Sequence, residues 1–221
     1  MSQARIPYVY PPQGESEVAD RIRARRPDGK LIALDGVLLN APAIANGYSK
    51  FIGAIRNNTS LDDGLRELII LRIAALNKAE YEWKEHERLG IKAGLTPDKL
   101  KAIKDISNAL LPYSPSASPP PLFNPLEVAI LSYTDSSTLN IKVPKRTFEA
   151  LRTALREHIS SQISGGAREK EPPEDSDEKM KQVEKMIMEV TATIAGYNTV
   201  SRILVALDVD GLGGYESEGG S

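Results

Sequence analysis

Residues 65–95 read LRELIILRIAALNKAEYEWKEHERLGIKAGL, and their apolar spacing predicts two helices joined by a short turn. In the first half Leu65, Leu68, Ile69, Leu71, Ile73, Ala74, Ala75 and Leu76 wrap most of a helix, which marks an element buried on several sides. Asp62 and Asp63 stand just before it, where carboxylates offset unpaired N–H groups and the helix dipole. Asn77 and Lys78 supply the break. The second helix is expected from Ala79 to Gly94, a residue that accepts the left-handed conformation closing a helix. Thr96 then reads as a cap, with Pro97 at the first position of a further helix.

This stretch also gathers the chemistry. It holds the single tryptophan and one of the two histidines of a chain without cysteine. Glu82 and His86 are four residues apart, about 40° around an axis that turns roughly 100° per residue, so they share one face. Trp83 lies beside that face. Without a thiol, the chemistry must be acid–base.

The segment RELIILRIAALNKAEYEWKEHERLGIKAGLT resembles the core of the carboxymuconolactone decarboxylase and alkylhydroperoxidase D superfamily. In the peroxidase branch a glutamate is followed twelve residues later by Cys-x-x-Cys, and four residues beyond the second cysteine by a histidine. The resemblance places Glu67 on the glutamate, Ala79 and Glu82 on the cysteines, and His86 on the histidine. Disulfide exchange is thereby lost, since no other side chain replaces a thiolate in it. The segments KLIALDGVLLNAPAIANGYSKFIGAIRNNTSL, PLEVAILSYTDSSTLNIKVPKRTFEALRTAL and VTATIAGYNTVSRILVAL resemble further parts of longer members, so the likeness spans about residues 30–209.

An internal echo appears too. AEYEWKEH (79–86) aligns without gaps to AGYNTVSR (195–202), placing Tyr81 beside Tyr197 and Glu82 beside Asn198. Either a duplicated helical hairpin or ordinary core packing accounts for it. The remaining chain has apolar positions three and four apart with no competing strand alternation, so the expected fold is all-α, a compact helical bundle. A single domain is expected over 30–209, preceded by an arm and early helix (1–29) and followed by a flexible tail (210–221). The arm is either laid on another subunit or a disordered end. Proline makes residues 112–125 a connector, and the charged run within residues 160–179 predicts a mobile insertion.

A net charge of −2 gives no polyelectrolyte partner, and the arginines at 21, 23, 25 and 26 lie beside Glu15, Glu17 and Asp20 as on a solvated early helix, so nucleic acid is not expected. No run approaches the roughly 20 apolar residues of a membrane span, the N-terminus lacks the pattern of a secretory leader, and a cytoplasmic location follows as the default. Nothing resembles a phosphate loop, a His/Cys cluster or HExxH, so neither cofactor nor metal is expected.

The expected site has His86 as general acid or base, with Glu67 and Glu82 to orient it or relay the proton. Tyr81, Trp83, Tyr197 and Asn198 are candidate substrate contacts. His158 has no motif support. The family likeness implies a decarboxylase-like lyase, or an isomerase or cyclase, acting on a small organic acid, lactone or polyketide-like ring. It also implies a homo-oligomer, here a dimer or trimer. The alternative is a catalytically silent oligomeric binding or scaffold protein of the same fold.

Overall fold

The computed structural model describes residues 4–26, 28–107, 109, 122–164 and 177–213. Among these residues the chain forms α1 (Glu17–Ala24), α2 (Ala33–Leu38), α3 (Pro42–Asn57), α4 (Asp63–Leu76), α5 (Glu80–Lys92), α6 (Pro97–Lys104), α7 (Pro125–Asn140), α8 (Lys145–Ser164) and α9 (Asp177–Ala206), with a 3-10 turn at Val209–Gly211. No strand occurs among them, and the fold class is all-α as expected.

α4 is the axis of the molecule. From Leu65 to Ala74 every residue except Arg66 is buried, the charged Glu67 and Arg72 included, and α5, α6, α7 and α9 pack around it. The Asp62 carboxylate accepts from the Leu65 N–H at 2.8 Å, satisfying one of the first-turn donors that a helix leaves open. At the other end Lys78 takes a positive φ of 54°. Ala79 N–H then reaches the Ala74 carbonyl at 2.8 Å and Lys78 N–H reaches Ala75 at 3.2 Å. This pair of bonds reverses the chain after one left-handed residue. α5 ends the same way, with Gly94 at φ 95° and Leu95 N–H on the Gly90 carbonyl at 2.9 Å.

The α4–α5 hairpin is tight because Gly90 has no side chain. A Cβ there would stand 2.9 Å from a Leu71 methyl, so the face that carries His86 and Glu82 one and two turns earlier lies directly on α4. That placement buries two charged residue types, and it sets up the site.

The structure decides between the two readings of the echo and adds to the expectations for the arm and the insertion. The echo at 195–202 is no second hairpin, because α9 runs unbroken from Asp177 to Ala206. Where Asn77 and Lys78 turn the chain, the matching residues are Thr193 and Ile194, both buried within the helix, and a β-branched apolar residue resists the left-handed conformation that a turn requires. The N-terminal arm lies on its own chain. Arg5 N–H bonds Leu207 O at 2.7 Å and Val9 N–H bonds Gly36 O at 2.9 Å, while Tyr8 Oη accepts from Asp210 N–H at 2.9 Å. Of the expected tail only residues 210–213 are among the described residues. The expected insertion at 160–179 is helical at both borders, since α8 continues to Ser164 and α9 starts at Asp177; its centre, like most of the 112–125 connector, lies outside the described residues.

Candidate active site

The hairpin brings together two residues nineteen apart in sequence. His86 Nδ1 lies 2.7 Å from Glu67 Oε2, with the two residues only 6% and 4% exposed. In this geometry the imidazole Nδ1–H donates to the carboxylate, which holds the ring in one orientation and leaves Nε2 to exchange a proton with a bound molecule. Tyr197 of α9 meets the imidazole edge-on, ring centres 5.3 Å apart at 90°. α9 thus contributes to the site although its sequence echo is no hairpin.

Glu82, one turn before His86, is 1% exposed, and neither of its carboxylate oxygens has a hydrogen-bond partner. Burial first, and then the negative charge of Glu67, push its carboxyl well above the usual 4.5, which favours the protonated form. Glu82 is therefore an acid, not a base, in the resting site. The Tyr197 hydroxyl also lies buried, its oxygen within hydrogen-bonding reach of the Arg56 guanidinium and its own O–H without an acceptor. Burial pushes the phenol up to about 12, against the opposing pull of Arg56.

α3 supplies two residues that the sequence reading missed. Tyr48 lies within electrostatic reach of Tyr197 and Glu82, and its hydroxyl is pushed up chiefly by burial. The Arg56 charge acts on Tyr197 and Glu67, while the residue as a whole keeps substantial contact with solvent. An arginine in the last turn of a helix reads in sequence as an ordinary favourable charge at the dipole's negative end, and nothing in its spacing points inward.

The other candidate contacts are committed elsewhere. Tyr81 and Trp83 flank Glu82 on opposite sides of α5. The Tyr81 hydroxyl meets the backbone of Leu34, and Lys104 Nζ sits over the Trp83 ring, 4.7 Å from its centre. Asn198 accepts from Asn77 Nδ2 at 3.0 Å and donates to Thr138 Oγ1 at 3.0 Å, tying α9 to the α4–α5 turn and to α7. His158 is a half-buried residue of α8 hydrogen-bonded to Gln162.

Residues 42–110 match the family model of the carboxymuconolactone decarboxylase family. No curated protein matches the chain. The matched segment begins at the first residue of α3 and includes α4, α5 and α6, so Tyr48, Arg56, Glu67, Glu82 and His86 all lie within it, whereas Tyr197 comes from beyond it. A larger groove of about 930 Å³ between α7 and α8, walled by Val128, Ala129, Ser132, Ala150 and Thr153, shares no residue with this cluster. Among the described residues no three His, Cys, Asp or Glu side chains are grouped to hold a metal, and no helix is long and apolar enough to cross a membrane.

The buried acid gives a pH-dependent expectation. An unfolded chain loses the Glu82 proton near 4.5, whereas the folded one keeps it to higher pH. Between those values the unfolded state binds fewer protons, so this group lowers stability as pH rises. Glu82→Gln removes the titration. The variant should match the wild type near pH 4 and melt higher at pH 7, measured by circular dichroism; a gain independent of pH would show that Glu82 does not titrate this way.

Proposed function

We propose that the protein is a cofactor-independent acid–base enzyme, a decarboxylase-like lyase or an isomerase or cyclase, acting on a small organic acid, lactone or polyketide-like ring. The buried Glu67–His86 hydrogen bond carries this reading, supported by the family match across the same residues. A carboxylate on Nδ1 stabilises the imidazolium that forms when Nε2 takes a proton, and the charged ring can then return it. In a decarboxylation the bond from carbon to the carboxylate breaks, its electron pair moves into the adjacent carbonyl as an enolate, and carbon dioxide leaves. The imidazolium Nε2–H then protonates the carbon, and the neutral ring regains a proton from water. An isomerisation uses the same pair in the opposite order, base first and acid second. Such steps need an electron sink in the substrate.

The reading includes a homo-oligomer, which the exposed apolar side chains Ile44 and Phe51 on α3 and Met188 on α9 support. Catalysis is tested by incubating the protein in heavy water with a panel of β-keto acids and unsaturated lactone acids. NMR then follows deuterium entry at carbon and loss of the carboxylate. Wild-type protein should exceed the background on at least one compound and His86→Ala should not. Equal rates for the two proteins across the panel would overturn the proposal.

A further inference from the structure

We infer that Glu82 and Tyr197 form a paired hydrogen-bond donor site for an anionic oxygen, and that the ligand is a small carbon acid whose carbonyl or hydroxyl oxygen becomes an enolate or phenolate when bound. The inference rests on the acid–base reading and assigns its electron sink.

Three polar atoms carry it. Glu82 Oε1 and Oε2 are buried and lack partners, and the buried Tyr197 O–H has no acceptor, although Arg56 can donate to the Tyr197 oxygen; both residues are 1% exposed. Such atoms are rare in folded proteins and each costs the fold its desolvation. They also converge on one place. Glu82 stands one turn before His86 on the same face of α5, and Tyr197 lies edge-on to the His86 ring. A carboxyl that holds its proton and a phenol that holds its proton are both O–H donors. Two preorganised donors in a dry site stabilise charge that develops on an oxygen, as a neutral buried carboxylic acid beside a tyrosine can do.

The surroundings narrow the ligand. The Glu67 carboxylate acts on both Glu82 and Tyr197, which disfavours a permanently charged phosphate or dicarboxylate held between the donors. An oxygen that enters neutral and becomes anionic only on ionisation or reaction avoids that repulsion. Arg56 and Tyr48 from α3 add a positive charge and another hydroxyl within electrostatic reach of Tyr197. Their partial exposure marks the α3 side as the approach. The same arrangement gives Glu82, which stands where the peroxidase branch has a cysteine, a role without a thiol.

The probe is 4-nitrophenol, whose phenolate and phenol absorb at different wavelengths, so the state of the bound molecule is read directly. At a pH below the free probe's own pKa, wild-type protein should bind it as the phenolate. Glu82→Leu and Tyr197→Phe should each weaken that binding by about tenfold to a hundredfold, the size of one hydrogen bond to a charged group. Glu82→Leu removes buried atoms without a partner and Tyr197→Phe leaves the partly solvent-exposed Arg56 to water, so folding is retained, as circular dichroism can verify. Glu67→Gln should strengthen binding by removing a negative charge. Failure of the wild type to bind the phenolate, or unchanged binding in both Glu82→Leu and Tyr197→Phe, overturns the inference. The two proposals separate cleanly. Deuterium exchange that survives both donor substitutions defeats the donor pair alone, whereas phenolate binding without any exchange defeats the Glu67–His86 mechanism alone.

Discussion

Arg72→Met is expected to destabilise the fold by about 3–5 kcal/mol, the usual consequence of leaving one charge of a buried ion pair alone. Arg72 and Asp135 are both fully buried, and the guanidinium grips the carboxylate with two bonds, Nε to Oδ1 at 2.6 Å and an Nη to Oδ2 at 2.9 Å. The other Nη donates to the carbonyls of Ile103 and Asp105, each at 2.8 Å. One side chain of α4 thus pins α7 and the end of α6. Removing it takes two charge-assisted bonds from the buried Asp135 carboxylate and the donor from the two carbonyls, that of Ile103 among them buried. For a chain of this size the melting temperature should fall by roughly 6–20 °C. Urea denaturation of the double variant Arg72→Met/Asp135→Leu supplies the control, since replacing both charges by apolar groups should restore most of the loss. A double variant as unstable as the single one would show that the stranded charge is not the cause.

That pair also shows where sequence reading stops. The apolar density of 65–76, the Asp62 cap, the Asn77–Lys78 break, the Gly94 end and the Thr96–Pro97 start are local signals, and the helices form where those signals stand. Arg72 sits within the same run, but its partner is sixty-three residues away, and no periodicity reports a pairing across that distance. Tyr48 and Arg56 escaped for a similar reason, because each looks like an ordinary member of an amphipathic helix. Tyr81 and Trp83 erred in the other direction. Adjacency to Glu82 in sequence puts them about 100° away around the axis, toward α2 and Lys104 respectively. Tyr197 was found through an alignment to a hairpin that does not exist, and its place beside His86 comes from the packing of α9 on α4 and α5. The Glu67 and His86 spacing was legible because one turn joins their helices, so a register read along the chain becomes a distance in space.

Glu67→Gln and His86→Ala should each lower turnover of an accepted substrate by about a hundredfold to ten-thousandfold, the range for loss of a positioned acid–base group. The two losses should not add. Glu67 acts on the substrate only through the imidazole, so once His86 is gone its removal costs little more, and the double variant should resemble His86→Ala. Glutamine keeps the shape of Glu67 but offers a neutral carbonyl or an amide N–H to Nδ1. The amide N–H would favour the tautomer with its proton on Nε2, and the carbonyl would give little support to an imidazolium. Nitrogen-15 spectra of labelled histidine read this independently of turnover, with His86→Ala assigning the signals. The His86 ring nitrogens should change their chemical shifts in Glu67→Gln while those of His158 stay put. If turnover fell but the His86 nitrogens did not respond, Glu67 would have to act on the substrate directly, and the carboxylate, not the imidazole, would become the group to follow. A response in the spectra without loss of turnover would instead leave the hydrogen bond as a structural link between α4 and α5. Only the two changes together make the pair a catalytic unit.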